Sequence, residues 1–301
     1  MKARVEAFLQ ALEEEDHAVE AVMLYQNGEI LLNHRFVPHC SRLIYSHTKS
    51  FVATAAGMAV DEGKLQLDSR FMDFFPDYAP MVTDKRVFEI TLRNLLTMSS
   101  GFGDAFLMSS NRRKGEGFPD YVAYMVQKPL VATPGTTFLY SNADTHLAGC
   151  MVEKAVGEPL IVYLYRKLFS KIGMSYPAWE CDPTGTAFGG SGMYLPIEEM
   201  IKLGILYLHD GVWNGERLLS HEWVTMAGSK QIDTGNPEPW HSGYGFQFWM
   251  IPQQPGAFRC DGLYGQYSLI LPKDQAVVAI QSNEQNDVLK VIPLILKYLI
   301  S

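Results

Sequence analysis

The chain has 301 residues, with 25 Lys+Arg against 33 Asp+Glu, and its net charge of −8 excludes a broad basic face for nucleic acid. At 47% hydrophobic and 19% charged it lies far from disordered compositions, and at this length roughly three quarters of the unfolded surface can be buried, in one or two domains. Cys40, Cys150, Cys181 and Cys260 form no Cys-x-x-Cys pair and read as buried free thiols, and the histidines show no ligand spacing, so neither metal nor other cofactor is expected. In chain order, Met1 to His17 reads as an acidic amphipathic helix without the basic start and apolar core of a signal peptide. With Met1 as the natural start and no apolar run near the roughly 20 residues of a membrane helix, a cytoplasmic protein with no membrane partner is expected. Val19 to Tyr25 and Ile30 to Phe36 flank Asn27-Gly28, which predicts an antiparallel hairpin.

Ser46 to Lys64 follows. Phe51 to Val60 is small or apolar on nearly every side, so this helix is expected to be buried all round, with Gly63 ending it. From Leu65 to Gly235 helical stretches (Leu92 to Met98, Asp120 to Gln127, His146 to Val156, Glu198 to His209) are broken at Pro119, Pro134-Gly135 and Gly189-Gly190. Gly243 to Ile251, Gly265 to Leu271 and Ala276 to Ser282 read as three strands, and Asp287 to Ile300 as a helix on that sheet, kinked at Pro293. The expected class is α+β, with residues 1–64 and 236–301 building a sheet domain and residues 65–235 an inserted, mainly helical one.

Ser46-His47-Thr48-Lys49 opens the buried helix. As plain structure, Ser46 is an N-cap and Lys49 an exposed first-turn residue. The helix dipole disfavours a cation there, which points to function instead. Three residues give about 300° of rotation and about 4.5 Å of rise, so hydroxyl and amine meet on one face. A lysine desolvated by a buried helix can take the proton of a serine nucleophile. Tyr140-Ser141-Asn142 is the second candidate: Tyr140 could relay protons and Asn142 hold a carbonyl and the lysine, or Tyr140 is a partly buried tyrosine beside a helix cap. Tyr25-Gln26-Asn27 has the same letters, but Asn27 belongs to the hairpin turn. His47 points about 100° away from Ser46 and reads as packing. Asp144 and His146 read as solvated or hydrogen-bonded residues of a helix start, and Trp179, Trp240, Trp249 and Tyr264 as core or rim.

Ser46 to Phe51 running into Asp61-Glu62-Gly63-Lys64-Leu65 and Leu67-Asp68, then Ile90 to Gly101, Pro134-Gly135-Thr136 to Asn142, Gly189 to Leu195 and Tyr244 to Trp249, resembles in order the beta-lactamase-related serine hydrolases, which include class C beta-lactamases, penicillin-binding DD-peptidases and esterases. The resemblance implies a beta-lactamase/transpeptidase-like sheet flanked by helices, an acylated Ser46, Lys49 as base, Tyr140 as proton relay and Asn142 as substrate holder. The third motif of that family departs here: His241-Ser242-Gly243 fits the letters, but Cys260-Asp261-Gly262 fits the position. Position is preferred, because an oxyanion hole needs a backbone NH on an edge strand, assigned to Leu263 with the Ser46 NH as its mate. Asp261 would then disfavour anionic ligands unless Arg259 points inward, and otherwise it is a turn residue before Gly262. The expected partner is a small neutral ester or amide, hydrolysed through an acyl-enzyme on Ser46. The alternatives are a catalytically weak binding or sensor protein of the same fold, or a DD-peptidase or beta-lactamase. An α/β-hydrolase is set aside, since no Gly-x-Ser-x-Gly occurs, and no oligomeric state can be read.

Overall fold

A computed structural model describes residues 2–300. The chain begins with α1 (Lys2–Glu14), the hairpin β1 (Val19–Gln26) and β2 (Glu29–Arg35), and the short β3 (Arg42–Leu43). A 3₁₀ turn, Tyr45–His47, leads into α2 (Thr48–Asp61). The middle holds α3 (Leu92–Leu96), α4 (Ser109–Arg112), α5 (Tyr121–Val126), α6 (Asn142–Val156) and α7 (Leu160–Leu164). After β4 (Ala178–Trp179) and β5 (Met193–Leu195) come α8 (Ile197–Leu208), β6 (Val212–Trp213), β7 (Glu216–Arg217) and α9 (His221–Ala227). The C-terminal part supplies β8 (Ile232–Asp233), β9 (Gly243–Tyr244), β10 (Trp249–Met250), β11 (Phe258–Gly262), β12 (Gln266–Leu271), β13 (Ala276–Ser282) and α10 (Val291–Leu294), which continues as a π-helical turn, Ile295–Leu299.

Eight strands form one sheet in the order β2-β1-β13-β12-β11-β10-β9-β8, antiparallel at every pairing, so the first hairpin and the last strands share one sheet. The class is α+β. Asn27 and Gly28 both adopt positive φ (52° and 92°), the conformation a two-residue hairpin with right-handed twist requires. Every residue of β12 and β13 is buried, as in strands covered on both faces. On one face Phe8 and Leu12 of α1 and Ile292 of the C-terminal helix pack on Val22, Leu269 and Val278. On the other, α8 approaches so closely that a Cβ on Gly204 would lie 2.7 Å from Val277 Cγ1. α2 is buried from Thr48 through Ala59, the all-round burial its composition predicts. Among the described residues no helix is long and apolar enough to cross a membrane.

Three element readings are corrected. Gly243 to Ile251 is no single strand: Gln247 turns to φ +65° and sends its amide inward to Leu95 O (3.2 Å) and Leu96 O (2.8 Å), so β9 and β10 are short arms of a hairpin. β11 is missing from the strands read off composition, and only the resemblance put Cys260-Asp261-Gly262 on one. The last helix begins at Val291, which puts Pro293 in its first turn, where a missing N–H breaks no helical hydrogen bond. Of the thiols, Cys150 and Cys260 are buried, whereas Cys40 is partly exposed and Cys181 exposed.

Candidate active site

Ser46 is no N-cap. It lies in the 3₁₀ turn ahead of α2, whose first turn receives no side-chain cap. Tyr45, just before it, is held at φ +47°, an unfavourable conformation for a bulky residue and of the kind that collects at functional turns. Its ring meets Tyr264 edge-on at 5.1 Å. Lys49, one turn on, is 1% exposed. Its Nζ contacts three oxygens: Ser46 Oγ at 3.4 Å, Asn142 Oδ1 and the Gly190 carbonyl. Burial, then the Arg112 guanidinium, push this amine well below the usual lysine range, with the Asp144 carboxylate opposing.

α6 supplies the opposite wall. Ser141 caps it by accepting from the Ala143 N–H (3.1 Å), and Asn142, its first residue, anchors its own amide by donating from Nδ2 to Leu107 O (3.1 Å). That leaves Oδ1 turned to Lys49. Two residues on, Asp144 is fully buried, accepting from Ser100 Oγ (2.8 Å) and Ser100 N (3.3 Å), and burial raises its carboxyl to about 7. It is not solvated. Tyr140 lies flat on Trp249 (5.6 Å, 25°) with the Lys49 amine 5.2 Å from its ring centre. Burial raises its phenol far above the usual range, against a hydrogen bond with Ser46, so Tyr140 is protonated at neutral pH.

The third side is β11. A Cβ on Gly262 would collide with the Ile44 carbonyl oxygen and sit 3.2 Å from His47 N, so only glycine lets this strand approach the Ser46 turn. Leu263 follows the last paired position, Gly262↔Gln266, and is exposed. Asp261 shares a strand face with Arg259, which is fully buried and donates from Nε to Asp261 Oδ2 (2.9 Å), from one terminal nitrogen to Met250 O (3.1 Å) and from the other to Trp240 O (2.9 Å). Arg259 therefore points inward, and each of its three nitrogens already donates within the protein. Burial raises Asp261 above the usual carboxylate range, against that pairing.

These sides enclose a cleft of ≈ 280 Å³ lined by Ser46, Tyr140, Asn142, Asp261, Gly262 and Leu263, with Lys49 directly beneath Ser46. All seven sequence-derived site residues thus converge. His241 also lines it, so both segments competing for the third motif reach the cleft. Trp249, read as core or rim, lines it too, with the His241 ring 4.8 Å away. Sequence reasoning missed Met108, Ser109 and the Gly190 carbonyl, whose places depend on loop paths rather than residue type. His47 is packing, as expected: fully buried, it contacts Ser268 Oγ through Nε2 (2.9 Å), and burial lowers it to about 3. Among the described residues no cluster of three or more His, Cys, Asp or Glu could hold a metal ion.

The family profile described as Beta-lactamase matches residues 8–297. A 6-aminohexanoate-dimer hydrolase of Paenarthrobacter ureafaciens is 25% identical over 287 residues, 88% of this chain and 72% of that protein. Esterase EstB of Burkholderia gladioli is 28% identical over 141 residues, a local match to 43% of this chain and 36% of the esterase. Among solved structures, EstCE1, a hydrolase with promiscuous acyltransferase activity, superposes at a TM-score of 0.78 with 17% identity, covering 100% of this chain and 98% of that one. At that identity the likeness speaks for the fold.

Proposed function

This chain belongs to the Beta-lactamase family, and we propose that it is a serine hydrolase that opens neutral esters or amides through an acyl-enzyme on Ser46. The observation that carries this is the Lys49 amine. Of its three contacts, Asn142 Oδ1 and Gly190 O can only accept, so a neutral amine donates its two N–H bonds to them and aims its lone pair at Ser46 Oγ, the one partner with a proton to give. As Oγ attacks the carbonyl carbon, its proton passes to Lys49 Nζ, and the carbonyl π electrons move to an oxyanion between the Ser46 and Leu263 N–H groups. Tyr140, protonated and hydrogen-bonded with Ser46, passes a proton to the departing alkoxide or amine and is reprotonated from Lys49. Water then repeats the attack on the acyl-enzyme, releasing the acid and restoring Ser46.

The preference for neutral substrates is supported by β11. The Asp261 carboxylate borders the cleft, and the Arg259 guanidinium behind it is paired with that carboxylate and donates from each nitrogen within the protein, so an incoming carboxylate meets repulsion from Asp261. The names of the relatives, a 6-aminohexanoate-dimer hydrolase and an esterase, are those of hydrolases and support that reaction class. The test compares hydrolysis of 4-nitrophenyl butyrate with that of its carboxylate-bearing hemisuccinate. The expected result is at least about tenfold higher kcat/KM for the neutral ester, roughly 1.4 kcal/mol, with no turnover by Ser46→Ala. Preference for the hemisuccinate would overturn the substrate assignment, and turnover by the alanine variant would overturn the mechanism.

A further inference from the structure

Behind Lys49 lies a second buried ionisable pair with no part in the steps above. His146, fully buried on α6, contacts Asp182 Oδ2 through Nε2 at 3.1 Å. Its Nδ1 accepts a long hydrogen bond from the Gly189 N–H (3.4 Å). A backbone N–H can only donate, so Nδ1 is the acceptor, Nε2 carries the proton, and Asp182 receives it. The other Asp182 oxygen accepts from Thr184 N (2.9 Å), Thr184 Oγ1 (2.8 Å) and Thr186 N (2.9 Å). Burial notwithstanding, the bond from His146 holds the Asp182 carboxyl below its usual range.

Geometry turns this pair toward Lys49. Asn142 and His146 are four residues apart on α6, hence on one helix face: the first touches the Lys49 amine, the second the turn carrying its other carbonyl partner. That turn is pressed onto the helix, since a Cβ on Gly189 would lie 2.7 Å from Thr145 O and one on Gly190 2.6 Å from Asn142 Cβ. Trp179 Nε1 holds the flanking Phe188 and Ser191 carbonyls (3.0 and 3.2 Å), and His146 is the side chain that reaches the Gly189 N–H between them.

We infer that His146, oriented by Asp182, is a positioning residue that clamps the Gly189–Gly190 turn against α6 and so keeps the Gly190 carbonyl on the Lys49 amine and water off it. The inference rests on Lys49 as the general base. Lys49 is faced by Arg112 of α4, Asp144 of α6 and Tyr140; Arg112 lies 3.8 Å over the Phe188 ring that packs on His146, a contact that an aromatic ring at position 146 retains. Because burial is the largest influence on this amine, loosening the turn admits water and returns it toward ordinary lysine behaviour.

The test is the rate of Ser46 acylation by a fluorophosphonate probe as a function of pH, in the full chain. His146→Phe keeps a ring between Tyr121 and Phe188 but loses both hydrogen bonds; it is expected to acylate at least about tenfold slower at pH 7, with the rise in rate displaced to higher pH. His146→Gln, whose amide offers one donor and one acceptor, should recover most of the rate. A folded His146→Phe with wild-type rate and an unshifted profile overturns the inference. Should His146→Phe not fold, Asp182→Asn carries the same expectation and the same refutation. If the wild type itself is not acylated, the hydrolase reading fails instead, and the clamp is judged by NMR titration of Lys49 Nζ: an upward shift in His146→Phe or Asp182→Asn supports it, and no shift refutes it.

Discussion

On the proposed mechanism Lys49 decides at the level of single residues whether Ser46 is a nucleophile, because the burial that pushes its amine well below the usual lysine range depends on packing that keeps water out. Lys49→Ala should lower kcat by about 10³ with the fold intact, as measured by steady-state hydrolysis alongside circular dichroism. On the same proposal Tyr140→Phe should cost about 10², since a phenol raised by burial would serve the leaving group rather than the attack. An equal loss in both variants would mean that the two act as one base. The Ser46 and Lys49 pair was legible in the sequence because helical spacing alone puts both on one face. Asp144 and His146 were not: an acid in the first turn of a helix satisfies the dipole whether it faces water or the core, and only the packing of Ser100 and Asp182 against them shows which.

Elements meet at the site through glycine. β11 reaches the Ser46 turn only because Gly262 lacks a Cβ. Gly262→Ala should therefore lower stability by about 1–3 kcal/mol and reduce kcat, by pushing β11 and the Leu263 N–H away from Ser46; denaturant melts and ester hydrolysis read the two effects. Gly28→Ala, in the distant hairpin with open space around it, is the control: strained by its φ of 92°, it should cost stability but leave kcat unchanged. The first hairpin, the buried α2 and β13 were legible because their patterns are local. β11 was hidden from composition, though not from motif order, because Arg259 and Asp261 look like loop residues, and they are tolerated in a strand because side chains two apart share a face and neutralise each other. The hairpin of β9 and β10 was hidden by Gln247, whose inward turn answers to carbonyls on α3.

At the scale of the whole molecule, burying ionisable groups makes stability depend on pH in two opposed ways. Asp144 is raised from 3.8 to about 7, so the stability tied to its neutral form is complete below about 4 and lost as pH climbs through 7. Asp144→Asn should therefore gain on the wild type between pH 4 and pH 8, by about 2–4 kcal/mol in thermal or urea melts. His47 is lowered from 6.5 to about 3, so its contribution is present above 6.5 and lost toward pH 3, and His47→Gln should gain on the wild type as pH falls through that window. Neither trend could be read from the net charge of −8, because it depends on which groups the fold encloses. The seven converging site residues come from the 3₁₀ turn before α2, α2 itself, the segment leading into α6, α6, the end of β11 and the residue after it, and the proposed chemistry is one covalent event where these meet. The measurement that tests it most directly is peptide mass mapping after reaction with a slow ester. One acyl increment is expected on the peptide containing Ser46, lost in Ser46→Ala and slowed in Lys49→Ala; an increment on another residue, or undiminished turnover by Ser46→Ala, would contradict it.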